Sequence, residues 1–371
     1  MKSVAIVGAG RIGTALGDML GASGDYRVTL IDKSETALLG ADMATRAEKR
    51  ALDITDKTAL VDALEGKFAV ISAAPYQFTT AIAEAAAEAR VHYIDLTEDV
   101  ASTRRVKQIA ETADTAFIPQ CGLAPGFITI AAHSMARAFD EIETVRMRVG
   151  ALPQYPSNAL NYNLTWSPEG VINEYCEPCE AIVGGELREV PALEEREEFS
   201  IDGVTYEAFN TSGGLGSLCE TLKGRVRDLN YRTIRYPGHA AIMKTLLRDL
   251  RLGERRDLLK DIFEHALPTT QQDVVVIFVT VTGRKNGHLV QETYANKVYP
   301  GAIGGKMRSA IQRTTSAGAS TVLDMLAKGQ LPQKGYVQQE DIALDDFLAN
   351  RFGQVFDRGA EVGEHSERSV A

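Results

Sequence analysis

Tryptophan occurs once in this chain of 371 residues and cysteine four times. Four thiols are too few to staple so long a chain, so a disulfide framework is excluded. Cys176 and Cys179 form a single Cys-x-x-Cys in EYCEPCEAI, and no second pair accompanies it. A structural zinc wants four such ligands, and a redox pair wants a thioredoxin-like βαβ setting. Ordinary reduced thiols and no metal are therefore expected. No apolar run approaches the roughly 18 residues of a membrane span. Positive charge is in deficit, with 40 basic against 50 acidic residues and a net charge of −10, which argues against a nucleic-acid surface. Neither a membrane nor a nucleic acid is an expected partner. The chain opens directly on a strand, leaving no room for a leader, so the cytoplasm is the expected compartment. A hydrophobic content of 44% with 24% charge describes a globular chain long enough for two cored domains.

What is present is glycine, at a telling place. VAIVGAGRIG runs a continuous apolar strand into Gly8, Gly10 and Gly13. Gly-x-Gly-x-x-Gly alone is a weak signal, but here a strand precedes it and a helical pattern (Ile12, Ala15, Leu16, Met19, Leu20) follows. A second strand, RVTLID, ends on Asp32, nineteen residues after Gly13. In a dinucleotide fold Gly8 permits the tight turn, Gly10 the approach of a pyrophosphate, and Gly13 close helix-on-strand packing. The phosphates would sit on free N–H groups at the helix start, with Arg11 and Ile12 in the same turn. Asp32 would accept hydrogen bonds from the adenosine ribose and repel a 2′-phosphate. NAD is the expected cofactor.

The first 125 residues alternate strand and helix. Strands are expected at 4–7, 27–31, 46–52, 68–72, 92–95 and 116–119, and helices at 56–64, 79–89 and 103–113. This is an α/β pattern, a Rossmann doubly wound parallel sheet, whose ligands gather at the carboxyl ends of the strands. The loops after Ser72, Ile94 and Pro119 should line one crevice, with Ala73 and Ala74 touching cofactor. From about Gly126 the character changes. After a helix at 127–139 come longer, alternating segments, VRMRVGALP, NYNLTW, REVPALEEREEFSID, YEAFNTSG, VRDLNYRTIRYPG and DVVVIFVTVTGRKNG, interrupted by helices at 239–250 and 254–266. They predict a second α+β domain on a mixed or antiparallel sheet. A helix of small residues at 309–328 is expected to return to the first domain. The domain reading is 1–125, 126–305, a helical segment 306–355, and a polar tail 356–371.

Three segments in that second half carry a resemblance. CGLAPGF at 121–127, NYNLTWSPEG at 161–170 and TIRYPGH at 233–239 resemble the saccharopine dehydrogenase (saccharopine reductase) family, and its lysine ε-dehydrogenating branch above all. YIDLTED, GALPQYPSNALNYNLTW and YEAFNTSGGLGSLCETL extend the likeness over nearly the whole chain. One departure separates the branches. Saccharopine reductases carry an aspartate where this chain has Ala124, and an arginine near the turn at 210–214 for the glutarate arm of saccharopine. Losing both suits a smaller substrate. The resemblance implies NAD-dependent oxidative deamination of the ε-amine of L-lysine to the 6-semialdehyde, which cyclises to Δ1-piperideine-6-carboxylate. It also implies a homodimer through the second sheet.

Such chemistry sets requirements. A lysine ammonium has a pKa near 10.4, so a base or a pKa-lowering pocket must free the amine before hydride leaves. Asp95, Glu98 and Asp99 cluster after one strand and could hold the ammonium or act on water, with helix capping the plain alternative for Asp95 and Asp99. Glu98, Asp95 and His239 are the catalytic candidates, His239 as a proton shuttle. Tyr76, Cys121, Trp166 and Arg235 are the substrate-contact candidates. Arg235 would bind the α-carboxylate because a guanidinium does so bidentately. Packing is the alternative for each, and Cys121 lacks the neighbours of a nucleophile. Competing functions are a sister dehydrogenase acting on a secondary amine (saccharopine or carboxynorspermidine type), a non-catalytic NAD sensor, and a metal protein through Cys176 and Cys179.

Overall fold

Near-continuous apolar runs make central parallel strands, because both faces of such a sheet are covered. In the computed structural model, which describes residues 1–357, Lys2–Val7 (β1), Tyr26–Asp32 (β2), Glu48–Ala51 (β3), Ala69–Ser72 (β4), His92–Asp95 (β5) and Ala116–Ile118 (β6) form one sheet. Its order is β6-β5-β4-β1-β2-β3, extended beyond β6 by Gly335–Tyr336, and every pairing is parallel. Strand order reverses between β1 and β4, which is where such sheets bind ligands. Val4, Ala5, Ile6 and Val7 are buried in its centre.

Residues 1–130, 301–308 and 312 onward form one compact unit, and residues 131–300 with 309–311 form the other. The second unit is built on Glu141–Pro153 (β7), Cys179–Val183 (β8), Glu186–Val190 (β9), Glu197–Ile201 (β10), Val204–Asn210 (β11), Val226–Arg235 (β12), Asp273–Lys285 (β13) and His288–Val298 (β14). The main path is β10-β11-β12-β7-β13-β14, with β8 on β12 and β9 on β8. The sheet is mixed: β12 runs parallel to β7, and its other ladders are antiparallel. Helices Pro168–Cys176, His239–Lys244 and Arg256–Ala266 supply the core of this unit with Tyr162, Tyr175 and Phe209.

Two expectations need correction, and one helix was not expected. NYNLTW is not a strand. The Asn158 amide donates to the Tyr162 carbonyl at 2.7 Å and Asn161 takes a left-handed φ of 49°, so a side-chain-closed turn displaces the ladder. A helix occupies Pro168–Cys176, started by Ser167 as N-cap with Pro168 behind it. The helix expected from 103 begins at Val100, because the Asp99 carboxylate accepts from the Ser102 N–H at 2.7 Å and caps it. The tail after Phe356 lies almost wholly outside the described residues.

The helix Ala310–Ala327 belongs to the first unit from residue 312 on. Its small residues let it approach closely: a Cβ on Gly318 would run into the Cys121 and Gly122 carbonyl oxygens. Its last turn is fastened by Asp324, which is 1% exposed. That carboxylate accepts from the Tyr26 hydroxyl (2.8 Å), the Asn350 amide (2.8 Å) and Arg351 (2.7 Å), and pairs with Lys328. Burial opposes its charge, but these partners outweigh burial and hold the carboxyl down at about 2. A depressed carboxylate stabilises above its unfolded pKa of roughly 3.9 and loses that contribution as pH falls toward its folded value. Asp324→Asn should therefore cost about 1–2 kcal/mol at pH 7, after allowance for the exposed Lys328 partner. The difference in thermal midpoint from wild type, followed by calorimetry, should shrink below about pH 3.

Candidate active site

Each unit contributes a cluster of its own. In the first, Gly8 has φ +111° and donates its N–H to the Ile31 carbonyl at 2.8 Å. A Cβ there would strike the Ala73 carbonyl, and one on Gly13 would strike the Gly8 carbonyl. Gly10 differs: it has an ordinary extended conformation (φ −75°, ψ −168°) and open space where a side chain would go. It is the N-cap of helix Arg11–Ala22, with no side-chain cap and no acidic residue in the first turn. The helix start thus presents unclaimed N–H groups and its positive dipole end to an open space. Arg11 is exposed and Ile12 half-buried in that turn, and Ala73 and Ala74 are half-buried across from it.

Asp32 ends β2 with its carboxylate fixed from both sides. The Ala9 N–H donates to Oδ2 at 2.8 Å and the Ser34 N–H to Oδ1 at 2.8 Å. The side chain is partly exposed, leaving lone pairs for ribose hydroxyls. These features fit the adenosine and pyrophosphate halves of a dinucleotide.

The carboxyl ends of β4, β5 and β6 hold the other first-unit candidates. Asp95 is 1% exposed and accepts from the Tyr93 hydroxyl (2.9 Å), the Thr97 N–H (3.1 Å) and the Gln120 N–H (2.8 Å). Burial outweighs these donors and pushes its carboxyl up to about 6. Its oxygens are occupied, so Asp95 ties the β5 end to the loop after β6 and is not free to move protons. Glu98 contrasts with it. It is partly buried, lacks a side-chain partner among the described residues, and is raised by desolvation and by the charges of Asp99 and Asp95. A raised, unengaged carboxyl is the profile of a general base.

Cys121 is buried and its thiol donates to the Ile118 carbonyl at 3.0 Å, while the Gln339 amide donates to its sulfur at 3.2 Å and to the Pro119 carbonyl at 2.9 Å. Burial and the Asp95 charge push the thiol well up, so it is a packing and donor group. Tyr76 stands in an exposed turn after β4, its carbonyl facing the Ser102 hydroxyl at 3.4 Å.

In the second unit Arg235 ends β12 with 2% exposure. Its Nε–H donates to the Tyr175 hydroxyl at 2.9 Å and Nη1–H to the Ile234 carbonyl at 2.8 Å, and the guanidinium lies 5.1 Å from the Tyr162 ring centre. No carboxylate among the described residues stands at ion-pair distance from it, although the charge of buried Glu174 is felt there. The buried Tyr162 and Thr165 hydroxyls face one another, and neither makes a close hydrogen bond among the described residues.

His239 requires correction. It is buried, with Nδ1 2.9 Å from the Leu160 carbonyl and Nε2 3.1 Å from the Tyr175 hydroxyl. Burial, then the Arg235 charge, drives its pKa down to about 3. A ring held neutral through the working range is a fixed acceptor and not a proton shuttle. Trp166 is half-buried and lies over Gly170, where a Cβ would strike the ring.

Tyr175, Tyr162, Gln339 and Glu207 were not among the expected residues. Glu207 is 1% exposed and accepts from the Gly238 and Ala240 N–H groups at 3.1 and 2.7 Å, which anchors the turn after Arg235. Tyr175 had one available signal, the Ser-Pro-Glu helix start that places it on a helix. All four cysteines are free thiols, and no group of three or more metal-ligating side chains occurs among the described residues. No helix among them is long and apolar enough to cross a membrane.

A doubly wound sheet with an uncapped glycine turn, followed by a mixed-sheet unit, defines a pyridine-nucleotide-binding α/β protein. The family model for the saccharopine dehydrogenase NADP binding domain matches residues 4–118, and that for the saccharopine dehydrogenase C-terminal domain matches residues 122–355. The chain belongs to the saccharopine dehydrogenase family.

Among relatives, it is 23% identical over 362 residues to the mitochondrial alpha-aminoadipic semialdehyde synthase of Bos taurus, covering 90% of this chain and 36% of that protein. It is 24% identical over 177 residues to the Saccharomyces cerevisiae saccharopine dehydrogenase [NADP(+), L-glutamate-forming], covering 46% of this chain and 40% of that one. The chain thus spans less than half the length of these curated relatives. Two solved structures share its fold. The apo saccharopine dehydrogenase (L-Glu forming) of S. cerevisiae superposes with a TM-score of 0.77 at 16% identity, covering 94% of this chain and 97% of that one. The Legionella pneumophila homospermidine synthase in complex with NAD gives 0.69 at 12%, covering 96% and 89%.

The glycine turn yields a paired prediction. Gly10→Val should leave the thermal midpoint within about 2 °C of wild type, since nothing stands where its side chain would go. It should abolish NADH binding, read by titration of nicotinamide fluorescence. Gly13→Val should instead lower the midpoint by more than about 8 °C, because its side chain meets backbone.

Proposed function

We propose that this protein is a lysine 6-dehydrogenase: it oxidises the ε-amine of L-lysine with NAD, giving 2-aminoadipate 6-semialdehyde, ammonium, NADH and a proton from lysine, NAD⁺ and water. The observation that carries the reading is Arg235, a buried guanidinium with no carboxylate at ion-pair distance among the described residues, in a chain whose other unit is shaped for a dinucleotide. Burial works against its charge, Tyr175, Tyr162 and buried Glu174 favour it, and a substrate carboxylate would add a bidentate partner. The relatives' names, semialdehyde synthase and saccharopine dehydrogenase, support the lysine side of the reading.

The helix start at Gly10 and Arg11 would hold the pyrophosphate, and Asp32 the adenosine ribose. When bound, oxidised nicotinamide supplies the hydride acceptor. Glu98 takes the proton from the substrate ammonium, and its raised carboxyl suits that transfer. It releases that proton to solvent before hydrolysis, then takes one from the water that attacks the imine carbon and returns it to the departing amine. Arg235 would take the substrate carboxylate. Asp95, Tyr93 and the Gln120–Cys121 backbone keep the loop around Glu98 in place.

Incubating the protein with NAD⁺ and L-lysine at alkaline pH should generate NADH absorbance, and Arg235→Met should reduce kcat/KM by about 30-fold or more, the cost of losing one partner of a buried charge pair. Turnover of saccharopine or a polyamine adduct with none of lysine would move the assignment to a sister activity. Asp32→Ala should bring the ratio of kcat/KM for NAD⁺ over NADP⁺ down by about tenfold or more, measured with the same assay. An unchanged ratio would place Asp32 away from the ribose.

A further inference from the structure

The second unit contains a proton-ordered relay whose members come from three separated stretches of chain. Its tail sets its direction. A carbonyl oxygen only accepts, so the Leu160 carbonyl, 2.9 Å from Nδ1 of His239, requires the proton on Nδ1. With the ring neutral, Nε2 carries a lone pair and accepts from the Tyr175 O–H at 3.1 Å. The tyrosine's only proton is then committed to histidine, so its oxygen is a pure acceptor for Arg235 Nε–H at 2.9 Å. The three side chains are each 3% exposed or less, so water does not compete for these bonds.

We infer that Tyr175 is the positioning residue of a carboxylate receptor: polarised through His239, it holds the Nε edge of Arg235 and turns the remaining guanidinium N–H groups toward an incoming carboxylate. The inference rests on the lysine reading for its substrate and extends it to specificity, for α-amino acids over the corresponding simple amines. Three observations converge on it. The Nε and one Nη1 proton are engaged inside the protein, by Tyr175 and the Ile234 carbonyl. The guanidinium has no carboxylate at ion-pair distance among the described residues. The Tyr162 ring lies 5.1 Å from it, with its buried hydroxyl facing Thr165 and Trp166. Fixing the edge of a guanidinium before binding removes rotamer entropy that a flexible arginine would lose at each encounter. Neutral His239 is needed for this, since an imidazolium would donate from Nε2 and reverse the tyrosine's proton.

Tyr175→Phe removes one oxygen and leaves the ring, which also lines a cleft of about 480 Å³ with Cys176, Leu193 and Arg248. With the full chain and NAD⁺, KM for L-lysine should rise roughly tenfold while kcat stays within about twofold, as expected for a lost hydrogen bond to a charged group. Cadaverine, which is lysine without the carboxylate, separates positioning from general damage. The variant should lose lysine turnover far more than cadaverine turnover, so the lysine-to-cadaverine ratio of kcat/KM falls roughly tenfold. An equal loss with both amines would overturn the inference. A second readout is independent of turnover: in the wild type, ¹⁵N NMR of His239 should show a protonated Nδ1 and a lone-pair Nε2 at neutral pH, and Tyr175→Phe should shift only Nε2. A protonated Nε2 in the wild type would overturn it as well. If the wild type oxidises neither amine, the deaminase reading fails. The receptor is then decided by thermal shift with acetate against chloride, where stabilisation by acetate that Tyr175→Phe abolishes sustains it and its absence in the wild type refutes it.

Discussion

Two backbone approaches govern the first unit. The Cα of Gly8 sits against the Ala73 carbonyl, and the Cα of Gly13 sits against the carbonyl of Gly8. Neither tolerates a Cβ, so the end of β1, the end of β4 and the first turn of helix Arg11–Ala22 pack backbone on backbone, and the Ala73 N–H donates to the Val7 carbonyl at 2.8 Å. The lock leaves Gly10 exposed at the helix start with nothing above it. It also aims the Ala9 N–H at Asp32, which fixes the end of β2. The six residues from Gly8 to Gly13 therefore set the helix dipole, the unclaimed N–H groups and the Asp32 carboxylate in a common frame. The same economy recurs at the C-terminal helix, where Gly318 lets residues from 312 onward reach the loop at Cys121 and Gly122.

The parallel sheet was legible because its central strands are apolar on both faces, although the edge strand Glu48–Ala51 is polar and largely exposed. All six expected strands appear within two residues at each end. Where side chains compete with the backbone, the pattern misled. Asn158 closes a turn through the Tyr162 carbonyl, and the alternating polarity of NYNLTW then has no ladder to join. Asp99 moves a helix start three residues upstream by capping. The Pro168–Cys176 helix carried an ordinary start signal in Ser167-Pro168 that no expectation used. The second sheet was visible as β-rich segments, whereas its order, with parallel β12 and β7 at its middle, depends on register that no local pattern encodes.

Site residues divide in the same way. Gly8, Gly10, Gly13 and Asp32 follow from spacing within one β-turn-α-β unit. Asp95 and Glu98 share a loop and look equivalent on paper. Burial separates them: Asp95 is consumed by three donors, and Glu98 keeps a free, raised carboxyl. Arg235 and His239 were singled out for opposite reasons, one to bind and one to shuttle protons. The structure makes them two ends of a single relay. Its middle, Tyr175, lies 60 residues from Arg235 and 64 from His239, a separation across which no sequence periodicity carries information.

The cofactor preference we propose turns on the stiffness of Asp32. A carboxylate on a free side chain could rotate away from a ribose 2′-phosphate and let NADP bind. Here both oxygens are held by backbone N–H groups at 2.8 Å, from Ala9 on one side and Ser34 on the other. Swinging it aside would leave two backbone donors in the glycine turn without their partner, at a cost of about 1 kcal/mol each in this partly exposed setting. Leaving it in place sets a carboxylate beside a phosphate that carries one to two further negative charges. The family model that matches residues 4–118 is named for NADP, yet the fixed carboxylate at the end of β2 argues for NAD in this member. Discrimination of this kind comes from a charge that cannot move out of the way, and the backbone that immobilises it is the same glycine turn that admits the phosphates.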